Sequence, residues 1–340
     1  MKAIVLHEIK NMNSLKIVEI PYPQPAAGKV TVKLLASALN HRDLWIVNGL
    51  YARIKVPVVL GSDGCGRVVE IGEGVDKNWI GQEVVINPAL DWGNDPAAQQ
   101  ENFRILGMPE NGTQAEFVVV PEGNLFLKPS YLSFEEAAAL PLAGLTGYRA
   151  LLVKGSLRKG EMVLLTGIGG GVAALMLQMA ISAGGLVWVT SGDDQKIRQA
   201  MASGAVGGVN YQQAGWRKDL EFKLRGKRID LVVDSAGGEG LNDLIEIVKP
   251  GGRIVILGAT TGNPSSLNLR RIFWKQIQIQ GTTMGNRQDF EKMLNFVEKM
   301  KIRPLIDSVF EFHKYLTAYQ RMEQAKQFGK IVLRHDFSVR

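Results

Sequence analysis

The chain has 340 residues, 46% of them hydrophobic and 21% charged, so it can bury more than one core and lacks the composition of a disordered protein. Its formal net charge of +7 is not gathered in one block, which favours a mildly basic enzyme over a protein that binds nucleic acid or a membrane surface. The single cysteine, Cys65, excludes an intramolecular disulfide and a multi-cysteine zinc site and fits a cytoplasmic protein; no apolar stretch approaches the ~20 residues that span a bilayer.

The first third of the chain is predicted to be rich in β-strands. Short β-branched runs, separated by Gly, Pro and Asn, cover 2–6, 15–20, 29–36, 66–71, 83–87 and 115–120. The stretch 88–111 is polar and rich in turn residues, which predicts a surface lobe or a long loop.

The pattern changes near residue 130, where Ser133 and Glu136 have the spacing of a capping box before an Ala- and Leu-rich helix. From 161 onward, apolar strands alternate with amphipathic helices, which predicts an α/β domain with a doubly wound parallel sheet. The predicted strands are 161–166, 186–190, 207–210, 229–234, 253–257 and 276–280, and the predicted helices are 171–183, 194–203, 213–225, 239–248 and 268–274. A helix at 287–301, a strand at 306–310, a helix at 313–326 and a strand at 330–333 follow.

A glycine cluster links the first strand and helix of this series in the segment EMVLLTGIGGGVA, residues 161–173. Glycines permit a tight turn, and the helix N-terminus that follows offers free N–H groups to a pyrophosphate. Gly167 and Gly169 fit the first two positions of the G-x-G-x-x-G pattern, with Gly170 and Gly171 behind them. The third position falls on Val172, a departure from the pattern. The placement within a βαβ series predicts a dinucleotide site.

The end of the next strand bears on which dinucleotide binds. Proteins that use NAD place an acidic residue there for the ribose 2′-hydroxyl. Here the strand ends at Ser191. Asp193 and Asp194 lie slightly beyond the position of that acidic residue, and Lys196 and Arg198 follow on the helix. A hydroxyl with nearby cations suits a 2′-phosphate, which favours NADPH over NADH. The alternative makes Asp193 or Asp194 the helix N-cap and leaves both cations in solvent, and the two interpretations are compatible.

At this point the sequence resembles the medium-chain dehydrogenase/reductases, and specifically their zinc-independent branch of quinone and enoyl reductases. The resemblance covers nearly the whole chain and rests on ALNHRDLWIVNGLY at 38–51, GSDGCGRVVEIGEGV at 61–75, LPLAGLTGYRAL at 140–151, the glycine turn, VVDSAGG at 232–238 and GGRIVILG at 251–258. It implies a GroES-like β-rich catalytic domain at 1–128, a Rossmann domain at 129–268, and a segment at 269–340 that adds the last Rossmann strand and returns to the catalytic domain.

The resemblance also locates the positions at which alcohol dehydrogenases of the family hold catalytic zinc. Asn40 matches the first cysteine, Ser62 and Asp63 match the His-Glu pair, and Leu142 matches the second cysteine. Amide, hydroxyl and alkyl groups do not replace thiolate and imidazole around zinc. The stretch 88–111, which matches the family's structural-zinc lobe, has no cysteine. We therefore expect no metal, and we expect reduction of a quinone, an enone or an enoyl thioester.

Residue roles follow from the same resemblance. Asn40 and Tyr51 match polar active-site groups of zinc-free relatives, although turn and rim positions are equally compatible with them. Trp45 is expected to line the pocket or to pack in the core, and Asp43 to orient its neighbours. On the cofactor side the resemblance points to Thr146 near the nicotinamide, Tyr211 near the adenosine phosphate, and Ser235, Leu257 and Gly258 at strand ends.

Two further expectations concern assembly and the class of function. Family members commonly pair the last Rossmann strand with a second subunit, so the edge within 270–287 predicts a homodimer. Two alternatives to a reductase stay open: a non-enzymatic NADPH-binding structural, regulatory or RNA-binding protein, and a zinc-dependent alcohol dehydrogenase.

Overall fold

A computed structural model describes residues 1–337 and divides the chain into two compact units. The first unit comprises Met1–Leu145, Gly285–Lys299 and the chain from Arg303 onward. The second comprises Thr146–Met284 with Met300–Ile302. No helix among residues 1–337 is both long and apolar enough to cross a membrane.

The N-terminal part of the first unit is built from short strands, as predicted. The strands are β1 Lys2–Leu6, β2 Leu15–Glu19, β3 Lys29–Ala38, β4 Val58–Val59, β5 Asp63–Ile71, β6 Glu83–Ile86, β7 Ala89–Leu90, β8 Arg104–Ile105, β9 Phe117–Pro121 and β10 Leu125–Leu127, and the helices are α1 His41–Val47, α2 Phe134–Ala138 and α3 Pro141–Tyr148. The predicted capping box is confirmed, because the Ser133 hydroxyl accepts from the Glu136 N–H (3.1 Å) and the Glu136 carboxylate accepts from the Ser133 N–H (2.9 Å).

The second unit alternates strand and helix throughout. Its strands are β11 Met162–Leu165, β12 Leu186–Ser191, β13 Gly207–Asn210, β14 Ile229–Asp234, β15 Val248–Ile256 and β16 Gln278–Gly281, and its helices are α4 Gly171–Ser182, α5 Asp194–Ala202, α6 Trp216–Leu224, α7 Gly240–Ile247 and α8 Leu269–Lys275. The chain continues through α9 Arg287–Met300, β17 Ile306–Glu311, α10 Tyr315–Glu323 and β18 Lys330–Arg334. From residue 161 onward the predicted order of elements is confirmed; the bounds differ at element ends, most clearly for β15, which begins at Val248 where the prediction began at 253.

The main sheet of the first unit is mostly antiparallel and has the order β10-β6-β5-β3-β18-β17, with β9 also paired to β3. Two pairings on β3 position the candidate site. β18 runs antiparallel to β3 with Val332 opposite Ala38, so the register carried two residues further places Lys330 opposite Asn40. β5 also runs antiparallel to β3, with Asp63 opposite Ala38. Three distant parts of the sequence therefore meet at the end of β3.

The sheet of the second unit has six parallel strands in the order β13-β12-β11-β14-β15-β16. The chain runs outward from β11 to β13, then returns to the other side of β11 with β14. Such a reversal of strand order opens a crevice at the carboxyl ends of the two central strands, where open α/β sheets bind ligands. The segments that follow β11 and β14 are therefore the expected place for a cofactor. This doubly wound sheet confirms the predicted fold class.

Candidate active site and cofactor site

A closed hydrogen-bond network joins Asn40, Asp63 and Lys330 in the first unit. The Lys330 ammonium donates to the Leu39 carbonyl (2.9 Å), to Asn40 Oδ1 (2.8 Å) and to Asp63 Oδ2 (2.8 Å). Asn40 Nδ2 donates to the same Asp63 oxygen at 3.0 Å. The other carboxylate oxygen of Asp63 accepts from the Leu142 N–H at 2.7 Å. All three ammonium hydrogens and both carboxylate oxygens thus have partners.

The network is almost fully shielded from water. The side chains of Lys330 and Asp63 are 3% and 0% exposed, and Asn40 is 7% exposed. Removing an ammonium and a carboxylate from water is costly unless each has a close partner and satisfied hydrogen bonds, and both conditions hold here. Asn40 is the member that keeps some access to the surface.

Asp43 lies in the same region and holds the backbone of Asn40. Its Oδ2 accepts from the Asn40 N–H at 2.9 Å, at the start of α1. Burial raises the pKa of Asp43 to about 6, although the neighbouring Arg42 guanidinium acts in the opposite direction. The predicted orienting role of Asp43 therefore has a geometric basis in this contact.

Tyr51 and Trp45 are both half-buried near α1. The Arg42 guanidinium lies over the Tyr51 ring, 5.1 Å from its centroid. The same guanidinium donates to the carbonyls of Leu106 (3.2 Å) and Met108 (3.0 Å), which anchors the end of the 88–111 stretch. Trp45 meets His41 edge to face, with ring centroids 6.5 Å apart.

The three positions that the family resemblance links to catalytic zinc are brought together around Asp63, but their donors do not fit that metal. They offer the Asn40 amide, the Ser62 hydroxyl, the Asp63 carboxylate and the Leu142 alkyl group. The Ser62 hydroxyl donates to the Leu106 carbonyl (2.7 Å), and the Lys330 ammonium lies 2.8 Å from both Asn40 Oδ1 and Asp63 Oδ2. Within the part of the chain that the structure describes, no group of three or more His, Cys, Asp or Glu side chains is placed to hold a metal ion. Zinc prefers thiolate and imidazole, and a cation already engages these oxygens.

The stretch 88–111 is held by an arginine rather than by cysteines. Arg104 on β8 pairs with both Asp91 and Glu110, and the Trp92 and Phe103 rings pack edge to face with centroids 5.2 Å apart. The stretch was predicted as a lobe or loop, and the structure adds the short β7–β8 pair. Two-residue strands leave no periodicity in the sequence, which is why they were missed.

In the second unit, the glycine turn follows β11 and leads into α4. Gly167 and Gly169 have φ angles of +64° and +127°, which side chains rarely adopt. An ideal Cβ on Gly169 would come within 2.6 Å of Lys196 Cδ and 3.1 Å of its Nζ, so the Lys196 side chain lies over the turn. Gly170 is the N-cap of α4 and provides no side-chain cap. The turn therefore directs the N-terminus of α4 toward the expected ligand position, with the Lys196 side chain beside it.

The ends of β11 and β14 are tied together at the strand-order reversal. The Thr166 hydroxyl donates to Asp234 Oδ1 at 2.6 Å and accepts from the Ser235 N–H at 3.2 Å. An ideal Cβ on Gly167 would lie 3.5 Å from Ser235 Oγ, so the glycine turn and the segment after β14 face each other. At the end of the next strand, the Leu257 N–H donates to the Asp234 carbonyl at 2.9 Å.

Gly258 and Thr146 complete the set predicted from the strand ends and the resemblance. A Cβ on Gly258 would come within 2.9 Å of the Ser235 carbonyl, so only glycine fits this close approach. Thr146 is 6% exposed and its hydroxyl lies 3.8 Å from Met284 Sδ.

The residues predicted to distinguish the two dinucleotides lie around the end of β12. Ser191 Oγ accepts from the Asp193 N–H at 3.1 Å, and Asp193 caps α5 by accepting from the Gln195 N–H at 2.7 Å. Tyr211 is half exposed, and its hydroxyl would lie 3.1 Å from a Cβ on Gly192. Asp193 is thus occupied as an N-cap, which agrees with the alternative interpretation of the two aspartates. Ser191 and Tyr211 lie around the end of β12, and Lys196 lies over the glycine turn.

Two buried polar groups were missed by sequence reasoning. Lys330 is the first residue of a predicted strand, and nothing in its local pattern distinguishes it from a surface lysine. His335 follows the last predicted strand, where the sequence does not distinguish it from a surface histidine, but it is 4% exposed, and its Nε2 lies 2.8 Å from Ser37 Oγ. Burial lowers the pKa of His335 to about 3. Cys65 lies on β5, fully buried, and burial raises the pKa of its thiol.

Comparison with known proteins identifies both units. Residues 26–130 match the alcohol dehydrogenase GroES-like domain, and residues 171–299 match the zinc-binding dehydrogenase domain. The zinc-type alcohol dehydrogenase-like protein YogA of Leptosphaeria maculans is 34% identical over 94% of each chain. Acryloyl-coenzyme A reductase of Metallosphaera sedula is 30% identical over 98% of this chain and 99% of its own. A crystal structure of an NAD-dependent alcohol dehydrogenase is 37% identical, has a TM-score of 0.92 and covers 98% of this chain and 100% of its own.

Proposed function

Since this chain belongs to the medium-chain dehydrogenase/reductase family of oxidoreductases, we propose that it is a cytoplasmic, NADPH-dependent reductase of quinones, enones or enoyl thioesters that works without zinc. The reaction is hydride transfer to an activated double bond or quinone. The likeness to an acryloyl-coenzyme A reductase supports the substrate class.

One observation carries the proposal: a buried ammonium engages the oxygens at the positions where zinc-using relatives hold metal. Lys330 lies 2.8 Å from both Asn40 Oδ1 and Asp63 Oδ2. Oxidation of a simple alcohol without a metal lacks the Lewis acid that stabilises an alkoxide. Reduction of a conjugated carbonyl does not need a Lewis acid, because hydrogen-bond donors can stabilise the charge that develops on the carbonyl oxygen.

The first unit supplies those donors in our proposal. Asn40 Nδ2 has a second hydrogen that bonds to nothing among residues 1–337, and it donates to the substrate carbonyl oxygen. The proton that completes the reduction comes from Tyr51 or from water. Trp45 and Asp43 belong to the substrate side, Trp45 as a pocket wall and Asp43 through its hold on the Asn40 backbone.

The second unit holds the cofactor, which supplies the hydride when it is bound. Gly167, Gly169, Gly170, Gly171 and Val172 form the turn and helix start that take the pyrophosphate. Ser191, Lys196 and Tyr211 take the 2′-phosphate, Thr146 lies at the nicotinamide end, and Ser235, Leu257 and Gly258 line the crevice. The Lys196 side chain across the glycine turn supports NADPH, because its cation complements the additional phosphate.

The proposal is tested by following oxidation of NADPH and of NADH at 340 nm, using chelator-treated protein and a panel of quinones, enones and enoyl-coenzyme A thioesters. We expect turnover that survives chelation and prefers NADPH. Lys196→Gln is expected to raise KM for NADPH about tenfold and to change KM for NADH little, while Lys218→Gln, at an exposed lysine on α6, serves as the matched control.

Other outcomes favour the alternatives. Oxidation of alcohols that requires added zinc would establish a zinc-dependent alcohol dehydrogenase, which the names of two similar proteins favour. Binding of NADPH with no turnover of any substrate class would establish a non-enzymatic binding protein. Equal KM values of Lys196→Gln and the parent for NADPH would refute the assigned phosphate site.

We further propose a homodimer formed through β16. Among residues 1–337 this strand pairs with β15 alone, and α8 exposes Leu269 (66%), Phe273 (67%) and Trp274 (77%). An open strand edge beside exposed apolar side chains is prone to pair with another chain. Sedimentation equilibrium should give twice the chain mass of 37.3 kDa, and Phe273→Glu combined with Trp274→Lys should give the monomer. A monomeric parent protein would refute this assembly.

A further inference from the structure

The orientation of the Asn40 carboxamide is determined by the charges on either side of it. Its Oδ1 faces the Lys330 ammonium at 2.8 Å, and its Nδ2 faces Asp63 Oδ2 at 3.0 Å. An ammonium carries donors only and a carboxylate carries acceptors only. Rotation of the amide by 180° would set N–H against ammonium and oxygen against carboxylate, so the flipped orientation loses both bonds and creates two repulsions.

The second hydrogen on Asn40 Nδ2 is not used by the network. Oδ1 is engaged by a cation, and one Nδ2 hydrogen is engaged by Asp63. The Asn40 hydrogen that remains is therefore an N–H donor, while Oδ1 stays turned toward the ammonium. Without Lys330 or Asp63 the amide can rotate, and it can then present its oxygen to a substrate carbonyl, which repels it.

We propose that Lys330 and Asp63 are positioning residues that lock the Asn40 carboxamide with an N–H directed to the substrate carbonyl oxygen. This inference rests on the proposed function, and it assigns the Lys330 ammonium the role of holding Asn40 Oδ1 away from the substrate. The pair is held in place from independent elements: Lys330 also bonds the Leu39 carbonyl, and Asp63 also bonds the Leu142 N–H. A rigid pair costs nothing to reorganise when charge develops on the substrate.

The choice of variants separates positioning from folding. Lys330→Met alone leaves a buried carboxylate without its cation, and it can fail to fold for that reason. The double variant Lys330→Met/Asp63→Leu removes both charges and fills their space with apolar groups. Proteins commonly stay folded when both members of a buried ion pair are replaced in this way. Lys275→Met is the matched control: this lysine is 7% exposed and bonds the carbonyls of Ile245 and Glu246 in the second unit.

The kinetic arm uses the best substrate of the panel with NADPH. We expect the double variant to keep KM for NADPH within about twofold and to lose kcat by about 10- to 100-fold, the usual effect of removing groups that orient a reacting side chain. Lys330→Arg should recover part of the loss, because it keeps the cation. Lys275→Met should keep kcat. A double variant that folds and retains kcat within twofold would overturn the proposal.

A second arm does not depend on turnover. In a protein labelled with 15N at asparagine, the two Asn40 Nδ2 hydrogens should give one signal protected from solvent exchange and one unprotected. In the double variant both should exchange rapidly. If the parent protein turns over no substrate in the panel, the proposed function fails, and this measurement still decides the orientation: two equally exchanging hydrogens in the parent would overturn the lock.

Discussion

Replacement of His335 by glutamine should change how stability depends on pH. The His335 ring is buried, its Nε2 lies 2.8 Å from Ser37 Oγ, and the ring of Phe312 packs edge to face with a centroid distance of 4.8 Å. Burial lowers the pKa from 6.5 to about 3, so the folded chain keeps this histidine neutral. Between those values the unfolded chain binds a proton that the folded chain does not, and the free energy of unfolding therefore falls as the pH falls below 6.5.

The magnitude follows from about 1.4 kcal/mol for each unit between the pH and the unfolded pKa. At pH 5.0 the His335 contribution is about 2 kcal/mol less than at pH 7.5. Asp43 acts in the opposite direction, since its pKa is raised to about 6 and the folded chain binds the additional proton. The difference between parent and His335→Gln removes the Asp43 contribution, because both proteins contain that carboxyl.

Urea unfolding of the two proteins at a series of pH values measures this difference. The stability advantage of the parent over His335→Gln should shrink by about 2 kcal/mol between pH 7.5 and pH 5.0. His313→Gln, a change at an exposed histidine, should give a curve parallel to the parent. A constant difference for His335→Gln, or a ring NMR signal of His335 that titrates near 6.5, would refute the reasoning.

Three other substitutions test separate parts of the molecule. Gly169→Ala should weaken cofactor binding about tenfold and cost about 1 kcal/mol or more of stability, because its φ is +127° and a Cβ meets Lys196. Gly240→Ala, at the start of α7, where a Cβ meets nothing within 4 Å, should bind the cofactor normally by fluorescence titration. Arg104→Met should lower stability by less than about 1 kcal/mol, since its ion pairs are half exposed, yet it should speed cleavage within 88–111 in limited proteolysis. Ser133→Ala should cost about 1 kcal/mol in thermal unfolding through loss of the capping box, and an unchanged melting temperature would contradict that role.

The fold was predictable to the extent that its signals are local. Each parallel strand of the second unit is a short apolar run bounded by turn residues, and Met162–Leu165 is buried on both faces. Strand–helix alternation then determines a doubly wound sheet. The helix His41–Val47 was missed because seven residues give barely two turns of periodicity, and its capping contact depends on Asn40 and Asp43 together.

The sequence could predict the site residue that follows β3, Asn40, but not the one on β18, Lys330. Asn40 could be singled out because it lies in the segment 38–51, which carries the family resemblance. Lys330 lies 290 positions later, and its contact with Asn40 exists only because β18 pairs with β3 in one particular register. Local sequence carries no information about a pairing at that separation. The same limit hid His335, which reaches Ser37 across 298 positions through the same pair of strands.

The burial of Cys65 has a consequence for the lifetime of the protein beside its proposed substrates. Enones and quinones are electrophiles that alkylate thiolates, and the reactive species of a cysteine is the thiolate. The chain has this one cysteine, it is 0% exposed, and burial raises its pKa, so the thiol stays protonated and out of reach. An enzyme built this way can work in a high concentration of such compounds without being covalently inactivated through sulfur.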